Sequence, residues 1–256
     1  MEITVWTYVI VCPLVFLAGL VDAVAGGGGL ISLPAYLIAG LPTHLAAGTN
    51  KFANGIGTAV AMSRFMKQGK ILLLPAVLAA AGALGGSWAG AKLALMLSDQ
   101  ALKIALLIII PLVGIFLAFH RTADKPKGEM RRGWALYLGS MAIGFAIGCY
   151  DGFSGPGTGT FLILAFLGLL RMDLLTACGN TKVVNLASNA GAFVTFLVSG
   201  QVLFAVAVPA AAASIMGSLI GAKLALTKGA RVIRPMFFVV LVLLLVKVAL
   251  DLLGIF

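Results

Sequence analysis

Charge is what this chain has least of: Asp and Glu number 8 and Lys and Arg 18 in 256 residues, so charged side chains make up 10% of the sequence. A soluble domain of this length needs far more polar surface, and with 61% hydrophobic residues and a mean hydropathy of +1.12 the chain cannot supply it. Histidine is scarce as well, at 2 residues, and the 3 cysteines stand singly in apolar sequence with no C-x-x-C spacing. That scarcity removes the clusters a metal centre needs, a disulfide framework, and a Ser-His-Asp set for nucleophilic catalysis. No enzyme chemistry, metal or cofactor is therefore expected. The net charge of +10 falls mainly in short loops, with no basic stripe carrying interleaved aromatics, so nucleic acid is not an expected partner.

What the chain has in abundance is long apolar sequence. Runs of helix-spanning length occupy residues 5–21, 71–91, 101–119, 133–150, 202–222 and 235–250, each suited to a hydrocarbon layer of roughly 30 Å. The period-two alternation of a barrel strand is missing, which leaves an all-α integral membrane protein whose surroundings are the lipid bilayer. The first run ends in Ala23-Val24-Ala25, the kind of small-residue sequence a signal peptidase accepts. Its n-region, however, has Glu2 and no Lys or Arg, and the same pattern recurs mid-chain, which argues against a cleaved signal.

That recurrence is the sequence's main organising feature. GLVDAVAGGGG at residues 19–29 returns as GCYDGFSGPGTG at 148–159, a shift of 129 from Asp22 to Asp151. AGTNKFANG at 47–55 returns as CGNTKVVNLASN at 178–189, the shift lengthening to 131 from Lys51 to Lys182. At that shift GSWAGAKLAL from Gly86 falls on GSLIGAKLAL from Gly217, so the duplication covers nearly the whole chain. Loop charge assigns equivalent loops to opposite sides. Residues 64–70 carry Arg64, Lys67 and Lys70 while 195–201 carry no charge; residues 96–103 hold Asp99 and Lys103 while 227–234 hold Lys228, Arg231 and Arg234. The expected organisation is two inverted-topology repeats, residues 1–119 and 134–256, joined by a basic cytoplasmic linker at 120–133, with both termini periplasmic.

Within each repeat the stretch after the glycines is too short to span. Residues 30–41, about 12, rise roughly 18 Å as a helix, and 161–170 roughly 15 Å. They read as half-helices turning at Pro42 and at 171–173 into the segments that carry the lysines. A glycine-broken re-entrant hairpin in each repeat, within about eight membrane helices, is the simplest form; two short full spans at 30–63 and 161–194 preserve the same parity.

Lys51, Asn54 and Thr58 stand at i, i+3 and i+7, and Lys182, Asn185 and Asn189 repeat that face. An intramembrane Lys costs about 2.5 to 3.5 kcal/mol on insertion scales, so two of them need an aqueous cavity or an anionic partner. One reading has both faces clamp a small anion, with Gly27, Gly28, Gly157 and Thr158 offering donors at the half-helix starts, where the dipole favours negative charge. Thr158 and Thr160 fit a capping role as well as ligand donation. The competing reading has the lysines snorkel and the asparagines bond between helices. Asp22 and Asp151, just before the glycine breaks, fit two roles: proton coupling, or pairing with Lys or with free backbone N–H groups. Gly82, Gly86 and Gly90, echoed by Ala213, Gly217 and Gly221, mark close helix packing, either inside the chain or across a homodimer.

At AGGGGLISLPA, GTNKFANG, YDGFSGPGTGTF, NTKVVNLASNAG and LTKGARVIRP the sequence resembles the TauE/SafE (DUF81-type) family of sulfite exporters, and within it the YfcA-like membrane transporter branch. The resemblance implies a bacterial inner-membrane permease for small anions such as sulfite, sulfoacetate and other organosulfur compounds. It also implies site roles for the glycine breaks and for Asn50, Lys51, Asn54, Thr181, Lys182 and Asn185. The resulting expectation is a multi-pass secondary transporter exporting small anions by alternating access around a paired-lysine midplane site. An anion channel using the same site is the competing class, and an intramembrane enzyme the more remote one.

Overall fold

A computed structural model describes residues 3–119 and 129–229, together with residue 232. Most of the expected linker, the apolar run at 235–250, and His120, Arg231 and Arg234 lie outside the described residues. Among those described, nine α-helices and no strand are present: α1 Val5–Ala25, α2 Gly29–Ile38, α3 Thr43–Lys67, α4 Leu73–Met96, α5 Asp99–Phe119, α6 Trp134–Phe153, α7 Thr158–Gly168, α8 Leu174–Val198 and α9 Phe204–Lys228. α1, α4, α6, α8 and α9 are each long and apolar enough to cross a membrane. α3 matches α8 in length at 25 residues but is more polar. The order long, short, long, long therefore occurs twice, in α1–α4 and in α6–α9.

The breaks fall where the sequence places them. α1 runs past the expected end at residue 21 and keeps Asp22 inside the helix. It stops at Gly26, whose φ of 77° is left-handed and which approaches Gly159 so closely that a Cβ there would sit 2.3 Å from a backbone carbon. α7 starts behind Gly157, with φ of 81°, three residues earlier than the expected start at 161. α2 and α7, of 10 and 11 residues, rise only about 15–17 Å. Pro42 precedes α3, whose first turn is held by Asp99 from α5: the carboxylate accepts from the backbone N–H groups of Thr43 and His44, each at 3.0 Å. Asp173 caps α8 by accepting from Thr176 N–H at 3.1 Å.

Contact register gives the helix directions. Gly48 lies against Phe196, Phe52 against Phe193 and Gly55 against Asn189, so α3 and α8 run antiparallel. α1 runs parallel to α9, where Gly217 meets the carbonyl of Phe16 and Gly221 that of Leu20. α4 runs parallel to α6, where Gly82, Gly86 and Gly90 meet the carbonyls of Met141, Phe145 and Cys149. The small-residue faces are thus occupied inside the chain, each joining a helix of one half to a helix of the other. Equivalent positions make equivalent bonds: Thr49 Oγ1 accepts from Leu203 N–H at 3.0 Å, and Asn180 Oδ1 from Leu72 N–H at 2.8 Å.

Two hydrophobic cores fill opposite ends of the bundle. One gathers Val11, Leu33, Tyr36, Ala94, Leu102 and Phe196; the other gathers Phe65, Ala79, Ile143, Leu162, Phe166 and Ala222. The glycine breaks and both lysines lie between them.

Candidate functional site

The half-helices start at the middle of the bundle and point away from each other, one into each core. Their N-terminal ends, Gly29 of α2 and Thr158 of α7, therefore face the same small polar cavity. Its volume is about 20 Å³, room for about one water-sized particle. The breaks are stitched together across it: Thr160 donates its N–H to Gly26 O at 3.2 Å and its hydroxyl to Ala25 O at 3.0 Å. Thr160 is thereby satisfied within the protein.

The lysines do not face each other. Each reaches the aspartate before the other half's break: Lys51 Nζ lies 2.8 Å from Asp151 Oδ2, and Lys182 Nζ lies 3.4 Å from Asp22 Oδ2 while also donating to the Asp22 carbonyl oxygen. Of the two pairing roles left open for these aspartates, the geometry realises the ion pair with Lys. Asp151 additionally accepts from Thr158 Oγ1 at 2.8 Å and from Ser188 Oγ. Two buried charges in hydrocarbon demand such partners, since an unpaired ion carries a desolvation penalty of several kcal/mol. The four charges sum to zero.

The expected site residues separate into two groups. Asp22, Lys51, Asn50, Asn54, Asp151, Thr158, Asn185 and Asn189 line the cavity. Lys182 stands behind Asp22, fully buried, and is not part of the wall. Thr181 is buried with its hydroxyl unpartnered, also away from the wall. Gly27, Gly28 and Gly157 shape the turns: Gly27 O accepts from Leu30 N–H, Gly28 packs against Ala18 and Asp22, and Gly157 O accepts from Phe161 N–H. The wall is formed instead by their neighbours Gly26, Gly29, Gly155 and Gly159.

The asparagines form short chains along their own helices. Asn54 Nδ2 donates to Asn50 Oδ1 at 3.0 Å and to Ser32 Oγ at 3.1 Å, and Asn189 Nδ2 donates to the Asn185 carbonyl at 2.8 Å. Ser188 and Ser32 escape the sequence reading. Each is a hydroxyl in an apolar helix, and the only available signal for Ser188 is its place one residue before Asn189 in the duplicated motif. His44 sits in the first turn of α3, where its Nδ1 lies 3.1 Å from Asp99 and its Nε2 3.0 Å from the Ala94 carbonyl.

The sequence profile of the family described as Sulfite exporter TauE/SafE matches residues 11–248. A probable membrane transporter protein, ORF9, of Sinorhizobium is 35% identical over 240 residues, covering 92% of this chain and 90% of its own. A probable membrane transporter protein of Haemophilus influenzae is 34% identical over 236 residues, covering 92% of each chain. The probable membrane transporter protein YfcA of Escherichia coli K12 is 33% identical over 236 residues, covering 92% of this chain and 87% of that one. No solved structure matches the chain.

Proposed function

The chain belongs to the sulfite exporter TauE/SafE family, and on that premise we propose that it carries small anions, sulfur oxyanions and organosulfonates first among them, across the bacterial inner membrane by alternating access. The carrying observation is the midplane cavity between the two cores, lined by Lys51, by the N-terminal ends of two half-helices and by asparagine amides. Half-helix N-termini supply backbone N–H groups and a favourable dipole for negative charge, and the ammonium supplies the countercharge. Antiparallel α3 and α8, each bearing a lysine at equivalent depth, support two inverted halves, 1–119 and 134–256, related about this cavity.

Lys51 is the first contact for the guest, and Lys182 holds the second charge in reserve behind Asp22. A sulfur oxyanion needs more room than one water, so its admission widens the cavity. A cavity this small also favours a carrier over an open channel, because no continuous aqueous path is needed. Glycine contacts hold α1 against α9 and α4 against α6, so each closely packed pair draws on both halves.

Charge distribution supports the orientation. Arg64, Lys67, Lys70, Arg131, Arg132, Arg171, Lys223 and Lys228 gather at the end of the bundle where α3 and α9 finish and α4, α6 and α8 begin. Lys92 and Lys103 are the described basic residues toward the opposite end. The first end is assigned to the cytoplasm, which puts the start of α1 in the periplasm. The reading is tested by a thermal-shift and uptake screen of purified protein against sulfite, thiosulfate, sulfoacetate and short carboxylates. Saturable uptake with stabilisation by at least one of these is expected; linear, unsaturable flux, or no response to any of them, overturns it.

A further inference from the structure

The two Lys–Asp pairs occupy equivalent positions in the duplication, yet their surroundings differ. Asp151 is enclosed: its side chain is 4% exposed and receives Lys51 and the Ser188 hydroxyl, with the single Thr158 hydroxyl hydrogen shared between Asp151 and the Gly155 carbonyl. Shifting Thr158 and Ser188 back by 129 and 131 residues gives Gly29 and Gly57, which have no side chain to donate. Asp22 accordingly has Lys182 alone among side chains, at 3.4 Å, and is 19% exposed toward the cavity. Asp151 is thus tied to its surroundings by several donors, whereas Asp22 has a single long side-chain contact and borders the cavity.

The charge sum supplies the reason for a proton. Lys51, Lys182, Asp22 and Asp151 cancel, so a guest anion arrives at a neutral cluster in a poorly polarisable interior and leaves it negative unless one carboxylate is neutralised. A proton on Asp22 removes its charge and leaves Lys182 uncompensated. Lys182 stays anchored through the Asp22 backbone carbonyl, behind the part of the wall that Asp22 forms. The other titratable groups facing Asp22 are Lys182 from α8, and Lys51 from α3 and Asp151 from α6 across the cavity. α2 and α7 add only Gly29, Thr158 and Gly159 to the wall, and Lys223, the charged residue nearest on α9, is exposed on the outside of the bundle.

We infer that transport is proton-coupled through Asp22 alone: Asp22 takes one proton for each monovalent anion bound, while Asp151 stays ionised as a fixed partner of Lys51. The inference rests on the anion-carrier reading above. No covalent bond is made or broken; the proton moves from water to a carboxylate oxygen of Asp22 and returns on the other side with the anion.

The test uses full-length protein in liposomes with methanesulfonate, a monoanion at every pH near neutrality, as the probe, and records uptake, internal pH and membrane voltage together. Wild type is expected to acidify the lumen by one proton per anion, to move no net charge, and to speed up as the external pH falls. Asp22→Asn is expected to lose most uptake, and whatever remains moves charge, carries no proton and is flat with pH. Electrogenic, proton-free uptake by the wild type overturns the inference even if the variant does not fold. A one-to-one ratio surviving in Asp22→Asn also overturns it while leaving the carrier reading intact. Absence of wild-type uptake of methanesulfonate and of every anion in the screen removes the carrier reading itself, and this inference with it.

Discussion

At the scale of single residues, the deciding physics is the cost of a lone charge away from water. Lys51 and Asp151 are 6% and 4% exposed and lie 2.8 Å apart, so removing one partner strands the other. Lys51→Met is expected to destabilise the protein by about 3 to 5 kcal/mol, whereas replacing a buried pair together is often close to neutral. Thermal unfolding in detergent should therefore show a large drop for Lys51→Met and recovery of most of it in Lys51→Met/Asp151→Asn. Equal midpoints for the single variant and the wild type would mean that the pair carries no such burden. The residue types of this site were legible in the sequence, because lysines, asparagines and aspartates inside apolar runs stand out against a costly background. Their partners were not. Helical spacing places Lys51, Asn54 and Thr58 on one face, but which carboxylate an ammonium reaches depends on how the helices are arranged about the cavity, and that is a tertiary fact. For the same reason a site read as two facing lysines is, in three dimensions, two crossed ion pairs with no net charge.

At the scale of elements, backbone proximity governs what each glycine tolerates. A Cβ on Gly90 would lie 2.0 Å from the Cys149 carbonyl oxygen, while one on Gly85 would meet nothing within 4 Å. Gly90→Ala is therefore expected to push α4 off α6 and lower the unfolding midpoint. Gly85→Ala should leave it unchanged or raise it, by up to about 1 kcal/mol from helix propensity. A Gly90→Ala protein as stable as the wild type would contradict the parallel α4–α6 contact. The sequence showed these glycines as packing faces but not their partner, since G-x-x-x-G spacing has the same appearance inside a chain as across a dimer. Helix boundaries were legible wherever a backbone constraint sits in the sequence: Pro42 before α3, Asp173 before α8, and the glycines between α1 and α2. The end of α1 was placed four residues early, because Asp22 reads as the close of an apolar run. In the fold it continues the helix, held by Lys182 at the last turn, where a cation also suits the helix dipole.

At the scale of the whole molecule, the duplication and the loop charges carry the topology. Gly69, between α3 and α4, belongs to the basic end, and Gly200, between α8 and α9, to the opposite end, although the two turns are equivalent in the repeat. Reporter fusions at Gly69 and Gly200 are expected to report cytoplasm and periplasm respectively; a shared compartment would contradict the inverted arrangement. Repetition at a nearly constant shift made the element order and the half-helices readable, because each copy confirms the other's breaks. What repetition conceals is difference. Thr158 and Ser188 against Gly29 and Gly57 is a small departure in sequence, yet it gives the two aspartates unequal surroundings.

The most direct measurement of the central claim is uptake of radiolabelled thiosulfate into liposomes by the wild type and by Lys51→Met/Asp151→Asn, whose fold the thermal experiment secures independently. If an anion is carried through the cavity between the crossed pairs, wild-type uptake saturates and the double variant, folded and inserted, loses at least about 90% of it, equivalent to about 1.4 kcal/mol or more of lost stabilisation. Undiminished saturable uptake by the double variant would contradict the claim and place the path elsewhere in the molecule.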